Sequence, residues 1–306
     1  MLQKPDVLEV DIEGVILPKD PEKGSPSALR IDFIKNMIEE FRAERGYKPL
    51  SQFLIKPTDF LWEKFHMDLG SVLNKLLEQA YTLHHPFKEQ EANEIKSLIP
   101  IAKKIIKEST DYYLELAEKQ KIKYETNPGI VELLRQIKKE LNIPFRIVSG
   151  NPKLVAEDKL RRAGVLDLFL DKKGKLPDLP IYGEDVMSRS ESIDLIDLEL
   201  FKANPSLDSP TPKHLYLVDR ESDLNTAYYS RVNNDVSFIL FGENPLKTTF
   251  KYQGFDHAPL AVGYLQKLIT SDRILFMPQG LKTPHDIEMA MEFVRGPSNI
   301  RREKAI

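Results

Sequence analysis

Carboxylates and small hydroxyl or amide side chains follow directly after three apolar, strand-like segments of this sequence. In chain order they are Asp11 and Glu13, then Ser149 and Asn151, then Asp219 and Asp223. The carboxyl ends of parallel strands share one edge of a sheet, and ligands bind in the crevice there. If the three strands are neighbours, carboxylates from two of them and a hydroxyl from the third converge. Such a cluster repels itself without a cation, and oxygen ligands are typical of a hard ion such as magnesium.

The elements that must position these residues alternate between helix and strand after residue 126. Helices punctuated by strands are typical of a parallel sheet with helices on both faces, an α/β fold with a Rossmann-like core. The predicted elements are a helix over 128–141, a strand from Phe145 to Val148, a helix with Asn151 as its cap and Pro152 at its first position, and strands from His214 to Val218 and from Val236 to Phe241.

The stretch between the first strand and residue 126 has a different pattern. Apolar residues recur there at helical spacing, beginning with a helix over 27–45 that has Ser25 or Ser27 as its cap. We therefore predict an α/β core formed by residues 1–19 and 126–306, with residues 20–125 as an inserted all-helical cap domain.

Two later stretches allow less complete predictions. Residues 192–201 fit either a helix or a strand, and a capped helix is predicted from Thr283 to Val294.

Composition excludes several classes of function. The chain of 306 residues has 44 Lys and Arg against 47 Asp and Glu, a net charge of −3, so no strong basic charge favours nucleic acid or an acidic membrane as a partner. With no cysteine, it has neither a disulfide framework nor thiolate catalysis nor Cys-ligated zinc. The absence of a signal peptide pattern and of a long apolar run leads us to expect a cytoplasmic protein.

The order of the three polar segments resembles the haloacid dehalogenase superfamily of phosphotransferases. Asp11-Ile12-Glu13-Gly14-Val15 is similar to its first motif, with Glu13 where the family has a second aspartate. Ile147-Val148-Ser149-Gly150-Asn151 is similar to the second motif, and the segment from Leu217 to Asp223 to the fourth. A helical insert between the first two motifs is similar to the cap that the family calls C1.

The resemblance implies a role for each residue of these motifs. Asp11 would be the nucleophile that forms an aspartyl-phosphate, and Glu13 would be the general acid and base. Ser149, Gly150 and Asn151 would bind the phosphoryl oxygens beside a helix N-terminus. The implied magnesium ligands are Asp11, the backbone carbonyl of Glu13, Asp219 and Asp223.

The family's third motif is a lysine or arginine, and its match is ambiguous. Lys202 is slightly favoured over Arg189, which lies farther upstream. Lys213 directly precedes the third strand and should lie at the opposite edge of the sheet.

The function that the resemblance implies is a magnesium-dependent phosphatase acting on a small phosphorylated metabolite. A phosphomutase would use the same nucleophile and acid, whereas a dehalogenase would not need the acids of the fourth motif. The alternative is a catalytically impaired member that serves as a binding or regulatory module. Its support is Glu13 in place of aspartate, the ambiguous third motif, and Val218 where the family usually has glycine.

Overall fold

Five apolar segments of the chain form the parallel strands of one sheet in the computed structural model. The residues described are 4–18, 24–46, 104–149, 151–171, 174, 189–203, 212–219, 224, 236–242 and 266–296. The strands are β1 (Val7–Val10), β2 (Phe145–Ile147), β3 (His214–Val218), β4 (Val236–Leu240) and β5 (Ile274–Phe276). Their order is β2-β1-β3-β4-β5, and every pair is parallel. The α/β fold class is confirmed, with β1, β2 and β3 as neighbours.

Helices pack against this sheet, which explains why its strands are apolar on both faces. They are α1 (Pro26–Glu44), α2 (residues 104–119), α3 (Ile130–Leu141), α4 (Lys153–Arg162), α5 (Arg189–Ala203) and α6 (Pro284–Arg295), with a short 3-10 helix at Leu166–Leu168. None of the helices described has the length and hydropathy that a membrane-spanning helix requires.

Successive residues of a strand point to opposite faces, and β3 shows how the two faces are filled. Leu215 and Leu217 belong to the hydrophobic cluster that includes α3, α4 and α6. Tyr216 and Val218 belong to a second cluster, which includes Ile196 of α5. The sheet is thus the middle layer of three, and its carboxyl-end loops form the edge where Asp11, Ser149 and Asp219 follow their strands.

The described parts of the predicted insert are two helices that contact each other and the core. Ser25 caps α1, because its hydroxyl accepts a hydrogen bond from the backbone N–H of Ala28 at 3.3 Å. Phe33 of α1 stacks on Tyr112 of α2, with ring centroids 4.5 Å apart. Tyr113 of α2 packs on Val155 of α4. The division into core and insert stays a prediction, because residues 47–103 lie outside the described residues.

A buried ionic cluster joins β1, β3 and α5. The His214 ring lies between two carboxylates, with Nδ1 2.6 Å from Glu9 Oε1 and Nε2 2.7 Å from Asp197 Oδ1. Burial alone would lower the pKa of His214, but the two carboxylates and their hydrogen bonds raise it to about 10. His214 is therefore an imidazolium at neutral pH, and the cluster ties α5 to the sheet.

Most of the predicted elements agree with the structure to within a residue or two. Residues 192–201 are helical as part of α5, and Thr283 caps α6 with a capping box that includes Asp286. The structure adds β5, which the sequence did not indicate. It also shows that Asn151 does not cap α4, since Pro152 occupies the cap position and the Asn151 side chain bonds elsewhere.

Candidate functional site

The loop after β1 carries the predicted nucleophile. Asp11 is 3% exposed, and its Oδ1 accepts a hydrogen bond from the backbone N–H of Ile12 at 2.8 Å. The loop then folds back on itself, because the N–H of Gly14 donates to the Leu17 carbonyl at 2.8 Å. Asp11 is therefore held at the carboxyl end of the central strands by an ordered turn.

Asn127, which follows the predicted insert in the sequence, holds the loop after β1 in place by hydrogen bonds. Its side-chain nitrogen donates to the carbonyls of Gly14, Val15 and Leu17 at 3.1, 2.9 and 3.0 Å. Its backbone N–H donates to the carbonyl of Ile16 at 2.8 Å. Asn127 was not among the predicted site residues, and the structure shows that it positions the loop after β1.

Asp219 follows β3 and reaches the same loop. It is 7% exposed, and Gly14, at φ +81°, lies so near its carboxylate that a Cβ there would be 2.1 Å from Oδ2. The positive φ and the close approach both require glycine at this position. The carboxylate of Asp219 and the loop of Asp11 are therefore packed together, as the sequence predicted for neighbouring strand ends.

Glu13 is bound by three donors from the next strand and its helix. The Asn151 amide nitrogen lies 2.9 Å from Oε1 and 2.8 Å from Oε2, and the Ser149 hydroxyl donates to Oε2 at 3.4 Å. The Nζ of Lys159 makes a short ion pair with Oε1. The structure thus brings Glu13, Ser149 and Asn151 together as predicted, and adds a lysine.

The protonation state of Glu13 follows from these contacts. Burial alone would raise the pKa of the Glu13 carboxyl, but the charge of Lys159 and the hydrogen bonds from Lys159 and Asn151 together hold that pKa below its usual value. Glu13 is therefore a carboxylate at neutral pH, held by three donors.

Lys159, rather than Lys202, is the lysine beside Glu13. It lies on α4, where long side chains lean toward the helix N-terminus, so its Nζ reaches back to Glu13 and donates to the side-chain oxygen Oδ1 of Asn151 at 3.2 Å. Lys202 lies exposed in the last turn of α5. Asp197, earlier in that helix, already reaches the first residue of β3, so Lys202 lies toward the opposite edge of the sheet. The side chain of Arg189 lies outside the described residues.

The sequence contained a signal for Lys159. The buried positions of α4 include Val155, Ala156 and Leu160, and Lys159 falls on the same stripe. A lysine on an apolar helix face requires a buried partner, because lysine is almost never fully buried unpaired.

A magnesium ion fits the described donors in part. Asp11 and Asp219 supply buried carboxylates at the ends of neighbouring strands, and Mg2+ prefers such oxygen ligands. The described residues include no group of three His, Cys, Asp or Glu side chains that could hold a metal ion. Asp223, the further predicted ligand, and Gly150, predicted to bind phosphate, lie outside the described residues.

Comparison with known proteins gives distant structural likenesses. No protein-family model matches the chain, and no curated protein matches it either. Similar solved structures include a hydrolase from Pseudomonas syringae, at 16% identity and a TM-score of 0.42, with 93% of this chain and 98% of that chain covered.

Two further solved structures show a comparably distant likeness. An archaeal β-phosphoglucomutase from Pyrococcus sp. strain ST 04 has 16% identity and a TM-score of 0.39 over 87% of this chain and 99% of that chain. L-2-haloacid dehalogenase from Xanthobacter autotrophicus has 9% identity and a TM-score of 0.33 over 96% and 90%. No conclusion about function follows from likenesses this distant. The strand order places Asp11, Ser149 and Asp219 at the carboxyl ends of three adjacent parallel strands.

Proposed function

We propose that the protein is a magnesium-dependent phosphohydrolase that acts on a small phosphorylated metabolite through an aspartyl-phosphate on Asp11. The observation that carries the proposal is that the loop after β1 carries a buried carboxylate and a second carboxylate, and that a set of anion donors contacts this loop. These are Asp11, Glu13 and the group of Ser149, Asn151 and Lys159.

The first half of the reaction transfers the phosphoryl group to the protein. A carboxylate oxygen of Asp11 attacks phosphorus, the bond between phosphorus and the leaving oxygen breaks, and Glu13 gives a proton to that oxygen. In the second half, Glu13 takes a proton from a water molecule, which attacks phosphorus and frees Asp11. Asp11 and Asp219, with Asp223 as the further predicted ligand, would hold magnesium, whose charge offsets that of the phosphoryl oxygens.

Glu13 must gain a proton before it can act as an acid. Lys159 and Asn151 keep it ionised. A phosphoryl group that takes over these donors would remove the interactions that lower the Glu13 pKa and leave the burial that raises it. Substrate binding would thereby convert Glu13 from a carboxylate into a proton donor.

The test is phosphate release from a panel of phosphorylated metabolites, with magnesium and with a chelator. We expect magnesium-dependent release by the parent and none by Asp11→Asn, because an amide does not supply the attacking oxygen. Beryllium fluoride, which mimics an aspartyl-phosphate, should bind the parent and not this variant. Turnover by Asp11→Asn equal to that of the parent would place the chemistry elsewhere.

A second candidate is a binding or regulatory module without turnover. The observation that favours it is the engagement of Glu13 with the same donors that a phosphoryl group needs. This alternative predicts that the parent binds phosphorylated compounds without releasing phosphate from any of them.

A further inference from the structure

Tyr113 is a fully buried aromatic residue of the predicted insert that the proposed chemistry does not yet use. It lies on α2 at 0% exposure and packs on Val155 of α4, the helix that carries Lys159. Its hydroxyl lies 2.9 Å from the hydroxyl of Tyr124, which packs against the hydrophobic cluster that includes α3, α4 and α6. The Tyr113 side chain is therefore fixed between the insert and the core.

The ring of Tyr113 lies beside the ammonium of Lys159. The Nζ of Lys159 lies over this ring, 5.8 Å from its centroid. A cation within about 6 Å of a ring centroid is attracted by the negative face of the π system. The same Nζ pairs with Glu13 and donates to Oδ1 of Asn151 at 3.2 Å. Lys159 is thus held by two polar groups of the core and by an aromatic ring of the insert.

The contact acts through the face of the ring and not through a phenolate charge. Burial raises the pKa of the Tyr113 hydroxyl well above its usual value, and the neighbouring Tyr124 raises it further. Tyr113 is therefore a neutral phenol at neutral pH. Because Lys159 is only 4% exposed, water does little to screen its attraction to the ring.

A ring of constant charge suits a lysine whose other partner changes charge. In the proposed reaction Glu13 gains and loses a proton, so its attraction for Lys159 weakens whenever Glu13 is neutral. The lysine stem has several rotatable bonds, and holding it in one rotamer costs conformational entropy. The Tyr113 ring stabilises the ammonium in both protonation states of Glu13, because the ring itself stays neutral.

We propose that Tyr113 is a positioning residue, which holds the Lys159 ammonium in place to bind a phosphoryl group. The inference rests on the proposed function, because it takes Lys159 as a donor to that group. It assigns a side chain of the predicted insert to the phosphate-binding part of the site. Tyr113 acts there through Lys159 and needs no contact of its own with the substrate.

Calorimetry with inorganic phosphate, in the presence of magnesium, tests the role of the ring. Tyr113→Leu removes the aromatic face and should weaken phosphate binding by about 2- to 30-fold, the range expected for a cation–π contact. Tyr113→Phe keeps the face and loses only the bond to Tyr124, so its affinity should stay within about 2-fold of the parent's. Tyr112→Leu is the matched control, because Tyr112 precedes Tyr113 on α2 but stacks on Phe33. It should leave the affinity unchanged.

Fluorination of the ring separates its electrostatic role from its packing. Replacing the phenylalanine of Tyr113→Phe by 4-fluoro- and then 3,4,5-trifluorophenylalanine nearly preserves the shape but withdraws electrons from the face. Phosphate affinity should fall along this series, whereas the unfolding free energy from urea titrations should not follow it. Equal phosphate affinities along the series would overturn the inference, and this test does not depend on whether Tyr113→Leu folds.

A double-variant cycle shows whether Tyr113 acts through Lys159. Lys159→Met should weaken phosphate binding, and adding Tyr113→Leu or the trifluorinated ring to it should cause little further loss. The same loss in both backgrounds, or a phosphate affinity that Lys159→Met leaves unchanged, would overturn the inference.

Turnover separates this inference from the proposed function. If the parent releases no phosphate from any substrate, the proposed function has failed, and the binding measurements still decide the role of Tyr113. If the parent is active, Tyr113→Leu should raise the KM for a phosphorylated substrate more than it lowers kcat. A merely structural role would reduce the share of folded protein, and so lower the apparent kcat at an unchanged KM. That second result would contradict the positioning role.

Discussion

The carboxylate of Asp219 and the backbone of Gly14 lie so close that a Cβ at position 14 would fall 2.1 Å from Oδ2. This approach joins the end of β3 to the loop after β1. It places an acidic side chain from one strand against the loop that carries Asp11 from the next. The geometry of the candidate site therefore depends on a residue without a side chain.

Gly14→Ala should damage both the fold and the site. The added methyl group collides with Asp219, and an alanine at φ +81° is strained by about 1–3 kcal/mol. We expect a larger loss of unfolding free energy in urea than for Gly24→Ala, together with weaker magnesium binding. Gly24 is a suitable control, because its φ is +87° but nothing lies within 4 Å of its added Cβ. Equal losses in the two variants would show that the contact with Asp219 is unimportant.

Asp219→Asn should weaken magnesium binding more than it weakens the fold. The amide keeps the shape of the side chain but loses the charge that helps to dehydrate the ion. Titration calorimetry with magnesium should show the loss, and the double variant with Asp223→Asn should bind no ion. Asp167→Asn, an exposed acid of the 3-10 helix, serves as the control. Unchanged affinity in the double variant would remove both residues from the metal site.

Glu13→Gln should lower turnover and raise the affinity for phosphate. Loss of general acid and base catalysis reduces turnover by about 10²–10⁴-fold. Affinity for inorganic phosphate rises because a neutral amide competes less well for Lys159 than a carboxylate does. Glu13→Asp, with a shorter reach, tests the alternative of a decayed site. An inactive parent that gains activity from this change would show that glutamate had impaired the site.

The sequence predicted much of this arrangement because the apolar strands and their polar ends are local signals. The positions of Asp11 and Asp219 follow from such signals once their strands are neighbours. Lys159 was missed because its role depends on contacts across the fold, although it lies on an apolar helix stripe. Asn151 was misread as a helix cap because the local preference is strong, whereas its side chain bonds to Glu13. β5 spans three residues, too few to show a strand pattern.

The cluster of Glu9, His214 and Asp197 predicts a pH dependence of stability. Below the usual His pKa of about 6.5, the His214 ring is protonated in both the folded and the unfolded states. The cluster then makes its full contribution to the free energy of unfolding. Above it the unfolded state loses its proton, so the contribution shrinks as pH rises until the folded pKa of about 10. The free energy of unfolding from urea titrations should therefore fall as pH rises from about 6.5 to about 10. The fall should be smaller for His214→Gln than for the parent.

An NMR titration of the parent checks this prediction without a variant. The His214 ring signals should shift near pH 10. A midpoint for His214 near 6.5 would show that the carboxylates do not hold its proton.

The bonds from Asn127 to Gly14, Val15 and Leu17 have a consequence for how the chain tolerates change. They join residues up to 113 positions apart, so the two ends of the long segment between β1 and α3 are held together at one place. The entropy of closing a loop grows only with the logarithm of its length. Residues could therefore be added to or removed from this segment with little change in the entropy of loop closure, while the strand register and the loop of Asp11 stay the same. Selection can therefore vary the length of the segment between β1 and α3 separately from the loop that carries Asp11.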